Sequence, residues 1–385
     1  MCGLAGLIDC SARRCEAALR EDVRRMARAL SHRGPDDDGD WVSAADGVAL
    51  GFRRLAVLDL SPAGRQPMLS PGGRYVLVFN GEVYNHAELR AELDVPYRPW
   101  RGHSDTEVLL AAIEAWGLRE ALRRSVGMFA LAVWDRRDGV LRLARDRLGE
   151  KPLYYGLAGG AFLFGSELKA LRAFPGFDAG IEAGVLPEYL RLGYIPAPRS
   201  IYRGIFKLPP GTILTAPGGA PEPYWSPGPG APFTGSEEDA ADRLDGLLRA
   251  AVRGQLAADV PLGALLSGGT DSSLVVAMMQ AEARRPVQTF TVGFAERSHD
   301  ESAHARAVAR HLGTEHTEMV VGAGEALAAI PDLPAVYDEP FADPTQVPTL
   351  LVARLARRHV AVAVGGDGGD ELFAGYGWYR HARRI

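Results

Sequence analysis

The chain has 385 residues, of which 47% are hydrophobic and 24% charged, the composition of a soluble globular protein of two or three domains. Its 43 Lys and Arg against 48 Asp and Glu leave a net charge of −5, which excludes the basic footprint of a nucleic-acid or membrane-surface binder. No apolar run approaches a membrane span, and the start, MCGLAGLID, lacks the basic region of a secretory signal, so the expected location is the cytoplasm.

Cys2 follows the initiator Met. With Met1 removed it carries both a thiol and an α-amine of pKa near ~8, so one residue offers nucleophile and base. A small buried residue opening a strand would look the same at this position. Cys10 and Cys15 read as ordinary thiols, and the three cysteines make no disulfide framework. Residues 4–8 read as a strand and 16–30 as an Arg-rich amphipathic helix, ended by the turn His32-Arg33-Gly34-Pro35-Asp36. Strand patterns follow over 48–60, which holds Arg53-Arg54-Leu55, and over 74–79, which ends at Asn80-Gly81-Glu82-Val83-Tyr84-Asn85. Asn-Gly at a strand end is by itself a turn. A helix starts near His86, and Gly102-His103-Ser104-Asp105-Thr106-Glu107 caps another that runs to Trp116. Residues 128–134 and 140–144 form a hairpin across Asp138-Gly139. A charged run, 145–155, precedes a strand near 161–165. The Pro/Gly-dense stretch 217–236 reads as a linker, giving a first domain over 2–215, a linker over 216–236 and a second domain over 237–385.

From Glu238 helix and strand alternate: strands over 263–266, 287–294, 316–321 and 360–364, with helices to 256, from Leu274, and over 301–312, 325–337 and 346–358. This predicts a doubly wound parallel sheet with ligand at the carboxyl ends of its strands. Between the first strand and its helix lies Ser267-Gly268-Gly269-Thr270-Asp271-Ser272-Ser273. Glycines, hydroxyls and the free N–H groups of a helix start make an anion site, and a carboxylate inside it calls for a divalent cation beside phosphate. A serine-capped helix after a glycine turn is the plain alternative. The loop is no Walker A motif, because the only lysines are Lys151, Lys169 and Lys207. A second acidic loop, Gly365-Gly366-Asp367-Gly368-Gly369-Asp370-Glu371, suits a shared metal. The nine histidines show no zinc spacing.

The Ser267 loop resembles the pyrophosphate loop of the ATP pyrophosphatases. The blocks MCG, HRGPD, RRLAVLDLS, NGEVYN, SDTE, GMFALAVWD and ARDRLGEKPLYY resemble the class II glutamine amidotransferase domain of glutamine-hydrolysing asparagine synthetases. TFTVGF, DESAHARAVARHLGTEH, DEPFADPT and GGDGGDELFAGY resemble that family's C-terminal domain. The resemblance implies an N-terminal-nucleophile αββα sandwich followed by a parallel α/β ATP-pyrophosphatase domain that stops short of the family's closing helices. It implies that Cys2 attacks the glutamine side-chain amide, that Asn80 and Gly81 form the oxyanion hole, and that Arg54, Leu55, Glu82 and Asp105 bind glutamine. In the second domain it implies ATP at Leu266, Ser267, Gly268, Gly269, Asp271, Ser272, Val292, Gly365 and Gly366, magnesium on Asp271 and Asp370, and Asp367 near the adenylation site. Departures are Val126 for the family's Asn, Ala56 for Ile, Thr270 for a branched apolar residue, Gly365 for Ser, and no lysine after Lys207 to meet pyrophosphate. The implied acceptor is aspartate. A sugar acid or natural-product carboxylate, ring closure of the β-lactam synthetase type (opposed by the intact Cys2 site), or glutaminase action alone are the rivals. A homodimer is the candidate assembly.

Overall fold

The structure is a computed structural model that describes residues 1–11, 13–93, 99–228, 230–296 and 300–382. The chain divides into two compact units, residues 1–230 with 334–342, and residues 231–333 with 343–385.

The strands of the first unit are β1 Gly3–Asp9, β2 Asp37–Ser43, β3 Val48–Arg54, β4 Met68–Leu69, β5 Tyr75–Val83, β6 Gly127–Asp135, β7 Val140–Arg145, β8 Tyr154–Ala158, β9 Ala161–Gly165, β10 Ile205–Lys207, β11 Thr212–Ala216 and β12 Glu222–Pro223. They form two six-stranded sheets, ordered β10-β8-β9-β1-β3-β2 and β12-β11-β7-β6-β5-β4. Alternation along each strand splits its side chains between two cores. Leu4, Val48, Leu50 and Phe52 meet Val76, Val78, Ala130 and Ala132 of the other sheet. The intervening Ala5, Leu7 and Ala49 turn outward onto Leu19, Val23 and Met26 of the helix Glu16–Arg28. On the far side Leu77, Phe79, Leu131 and Val133 pack against Val108, Leu109 and Ile113 of the helix Asp105–Trp116. The layers are helix, sheet, sheet, helix, the expected αββα sandwich.

Three local readings are corrected. The strand expected to end at Phe79 runs on through Asn80, Gly81 and Glu82, because β6 pairs with all nine residues of β5, including Asn80 with Ala130 and Gly81 with Phe129. A Cβ on Gly81 would lie 2.2 Å from the Met128 carbonyl oxygen, so this glycine serves close strand approach and not a turn. The strand expected over 48–60 stops at Arg54, where the chain turns into a loop with Asp59 at φ +58°. β2 and β8, hidden in polar and charged sequence, were not expected; each is held by backbone pairing along its length to β3 or β9.

The second unit is a parallel sheet, ordered β15-β14-β13-β16, of β13 Leu262–Leu265, β14 Gln288–Phe294, β15 Glu315–Val321 and β16 Val362–Val364. Val252, Val276, Met279, Ala305 and Ala309, from the helices Glu237–Gln255, Thr270–Glu282 and Ser302–Leu312, cover one face over Ala264 and Leu266. Leu351, Leu355 and Ala356 of the helix Gln346–Arg357, with Ala329 of the helix Ala323–Ala329, cover Phe290 and Val321 on the other. The sheet is therefore doubly wound. The chain steps from β13 outward to β14 and β15, then returns to place β16 on the opposite side of β13. The switch point lies between the carboxyl ends of β13 and β16, where open α/β sheets bind ligand. Among the described residues no helix is long and apolar enough to cross a membrane.

Candidate active sites

The register of β1 on β3 pairs Gly3 with Arg53 and so brings Cys2 level with Arg54. The Cys2 sulfur accepts from the Leu55 N–H at 3.4 Å and donates to the Leu55 carbonyl at 3.5 Å. Burial pushes the thiol pKa up, and the charges of Glu82 and Asp105 add to the shift. Such a thiol needs a base to become the nucleophile. Arg33, within the stretch read as a helix-ending turn, donates from Nε to the Cys2 carbonyl at 2.8 Å and fixes the residue from behind. The sequence signal for this arginine was only its place in a motif.

Arg54 is buried, and its guanidinium donates to the carbonyls of Ser61 at 3.1 Å, Leu58 at 3.4 Å and Asp59. It thereby shapes the loop that carries Leu55. Asn80 is 1% exposed, and among the described residues neither its side-chain nitrogen nor its oxygen has a hydrogen-bond partner. Leaving a buried amide unpaired costs about 1–3 kcal/mol, so a residue kept in that state calls for a ligand or a role.

Glu82 follows on β5, and Asp105 opens the helix Asp105–Trp116, where Ser104 caps by accepting from the Glu107 N–H at 3.2 Å. The Asp105 carboxylate accepts from the Val83 N–H at 2.8 Å and the Thr106 N–H at 2.7 Å. Loss of solvation, then the Asp105 charge, pushes the Glu82 carboxyl up to about 8. Asp105 is also raised, chiefly by burial. Two poorly solvated carboxyl groups, one of them raised further by the other's charge, make a place suited to a cation. Lys151, whose own pKa burial lowers, is close enough for its charge to oppose the Glu82 shift, and its ammonium lies 2.8 Å from the Met128 sulfur.

In the second unit the helix after β13 starts at Thr270, four residues earlier than the expected Leu274, with Gly269 at its N-cap and no side-chain cap. Ser267 Oγ accepts from the Gly269 N–H at 3.2 Å and lies 2.9 Å from Ser272 Oγ, which accepts from the Ser267 N–H at 3.2 Å. Gly268 packs on the backbone of His304 and Ala305. The loop after β16 passes directly over this helix start. A Cβ on Gly366 would lie 2.7 Å from the Ser272 nitrogen and 3.1 Å from Asp271 Cβ, and one on Gly369 2.5 Å from the Asp271 carboxyl carbon. Asp367 turns back over Gly365, and Asp370 over Gly375. Thus Ser267, Gly268, Gly269, Asp271, Ser272, Gly365, Gly366, Asp367 and Asp370 share the switch point. Leu266 directly follows β13 and Val292 lies in the carboxyl half of β14, with their side chains directed into opposite cores. Among the described residues no three metal-ligating side chains gather. The Asp271 carboxylate lies under Gly369 and that of Asp370 against Gly375; magnesium takes one or two carboxylates and keeps water and phosphate oxygens as its other ligands.

Residues 1–225 match the family model of a glutamine amidotransferase domain, and residues 243–385 that of asparagine synthase. A putative glutamine-hydrolysing asparagine synthetase of Mycobacterium tuberculosis is 38% identical over 400 residues, covering 99% of this chain and 61% of that protein. Glutamine-hydrolysing asparagine synthetase 1 of Bacillus subtilis is 35% identical over 382 residues, covering 99% of this chain and 60% of that protein. For the putative synthetase 2 of Methanocaldococcus jannaschii the identity is 34% over 399 residues, with 98% and 76% covered. The chain thus spans about three fifths of the mycobacterial and Bacillus relatives, 61% and 60%. With both halves matched in order, the chain belongs to the glutamine-hydrolysing asparagine synthetase family.

Proposed function

We propose that the first unit, with a glutaminase domain over 2–215, hydrolyses glutamine at Cys2. The observation that carries this is the Cys2 thiol held on Leu55 within the electrostatic reach of the half-buried Glu82 and the buried Asp105 carboxyls. Once Met1 is removed, the α-amine of Cys2 takes the thiol proton. The sulfur then bonds to the side-chain carbonyl carbon of glutamine, and the carbon–nitrogen bond breaks as ammonia leaves with a proton from that amine. Water cleaves the resulting thioester to glutamate. The Asn80 amide and the Gly81 N–H meet the oxyanion, Arg54 the substrate carboxylate, Glu82 and Asp105 its ammonium, and Leu55 lines the site.

The second domain, over 237–385, takes ATP at the switch point, on the residues from Ser267 to Ser272 and on Gly365 and Gly366, flanked by the backbones of Leu266 and Val292. Asp271 and Asp370 hold magnesium, which supplies charge neutralisation for the departing pyrophosphate. An acceptor carboxylate oxygen displaces pyrophosphate from the α-phosphorus beside Asp367, and ammonia then displaces AMP. Aspartate is the acceptor that the family names favour. This chemistry implies the cytoplasm, and a homodimer is the assembly to test first.

The Glu82 carboxyl gives a signed test. At pH 6 it is protonated, and gripping an ammonium requires its ionisation, so glutamine affinity should rise with pH, by up to about tenfold per unit, and level off above about 8. Calorimetric titration of Cys2→Ala with glutamine between pH 6 and 8 measures this without turnover; a flat profile would remove Glu82 from the site. The folded-state pKa is raised, so stability present below the ordinary glutamate value is lost as pH rises through about 8. Glu82→Gln should therefore melt at a higher temperature than the parent at pH 8, and the difference should shrink at pH 5.

A further inference from the structure

The Cys2 backbone is anchored by a relay that ends far away in sequence. Arg33 donates to the Cys2 carbonyl at 2.8 Å and pairs with Glu167 at 2.5 Å. Glu167 also takes His32 at 3.0 Å and the Lys169 ammonium. Burial works against its charge, but hydrogen bonds from His32, Lys169 and Arg33, with the Arg33 charge, hold its carboxyl at about 2. Lys169 reaches on to Asp338 at 3.2 Å, and its backbone N–H, at the start of the helix Leu168–Arg172, donates to the same carboxylate at 2.8 Å.

Asp338 belongs to Pro334–Ala342, which packs as part of the first unit although the chain before Pro334 and after Ala342 belongs to the second. The segment is tied down at three points. Asp338 takes Lys169. Glu339 pairs with Lys207 and accepts from the Ile201 N–H at 3.2 Å, and the Ala342 N–H donates to the Gly193 carbonyl at 2.7 Å. Two of the chain's three lysines are thus spent on this one segment. Asp338 sits at φ +63°, a left-handed conformation that, among residues with side chains, Asp and Asn tolerate best.

We propose that Lys169 and Asp338 are positioning residues, and that through Glu167 and Arg33 the Pro334–Ala342 segment sets how tightly Cys2 is held. The ion pairs form one continuous path from a strap whose two ends run into the second unit to the carbonyl of the nucleophile. Pulling the strap away removes the Lys169 partner, loosens Glu167 and frees Arg33 from Cys2.

The test is the rate at which iodoacetamide alkylates Cys2 in the full chain, read by peptide mass, with the exposed Cys10 and Cys15 as internal references. It depends on the access and ionisation of the thiol and not on glutamine turnover. Asn tolerates the left-handed conformation, so Asp338→Asn removes the charge and keeps the backbone. Asp338→Asn and Lys169→Met should each alkylate Cys2 about tenfold faster while Cys10 and Cys15 keep their rates, as expected for loss of a charge-assisted contact. Lys169→Arg, which keeps a cation between the two carboxylates, should stay slow. Hydrogen exchange of β1 should remain protected in all three, marking a local release. An unchanged Cys2 rate in Asp338→Asn would overturn the proposal, and so would general loss of β1 protection, which would make the pair a mere part of the fold.

Discussion

Cys2→Ala is expected to abolish glutamine hydrolysis with little change in stability. Among the described residues the sulfur contacts only the N–H and carbonyl of Leu55 by hydrogen bond, so its removal leaves a small gap at a half-buried position. Its chemistry, by contrast, has no substitute. Cys10 and Cys15 are exposed, and neither can carry the α-amine. Loss of a covalent nucleophile lowers turnover by roughly 10⁴- to 10⁶-fold. A coupled glutamate assay gives the rate, and thermal melting checks the fold. Ammonia-dependent chemistry in the second unit should be indifferent to the change, since its residues are drawn from 237–385. Residual hydrolysis within tenfold of the parent would move the nucleophile elsewhere.

The second large effect is expected from Gly366→Ala. The added methyl would stand 2.7 Å from the Ser272 nitrogen and 3.0 Å from the Asp271 carbonyl carbon, which are backbone atoms at a helix start and cannot swing aside. The loop after β16 must then lift off the loop after β13, and Gly369 and Asp370 move away from the helix start that carries Asp271. Overpacking of this kind costs about 1–3 kcal/mol, enough to weaken magnesium–ATP by about fivefold to more than a hundredfold. Calorimetry with magnesium–ATP measures the loss, and the glutaminase rate of the same variant should not move. Unaltered nucleotide affinity would mean that the two glycine-rich loops do not share a ligand.

The second unit was legible from sequence because strand and helix alternate cleanly, and apolar runs such as 287–294 and 360–364 have nowhere to go but a covered sheet. What the pattern missed there was the helix start. Thr270, Asp271 and Ser272 look like loop residues by composition, yet a glycine N-cap lets the helix begin beneath them. In the first unit the motifs located Cys2, Asn80 and Asp105, but local propensity misjudged their setting. Asn80-Gly81 reads as a turn until nine rungs of pairing with β6 override it. Tyr154-Tyr155 sits in a charged motif until β8 closes on β9. Arg33, Glu167, Lys169 and Asp338 could not be joined by any spacing rule, since two of the links between them, Arg33 to Glu167 and Lys169 to Asp338, span more than a hundred residues and exist only once the sandwich has formed.

The central claim is that Cys2 is a nucleophile aimed at the side chain of glutamine, and covalent capture tests it most directly. The protein is incubated with a diazoketone analogue of glutamine, digested, and the masses of the peptides bearing Cys2, Cys10 and Cys15 are read. The account predicts a single adduct on Cys2, suppressed by excess glutamine, with Cys10 and Cys15 unmodified. Hydrolysis of glutamine by a protein that shows no Cys2 adduct, or an adduct on Cys2 that glutamine fails to suppress, would contradict it.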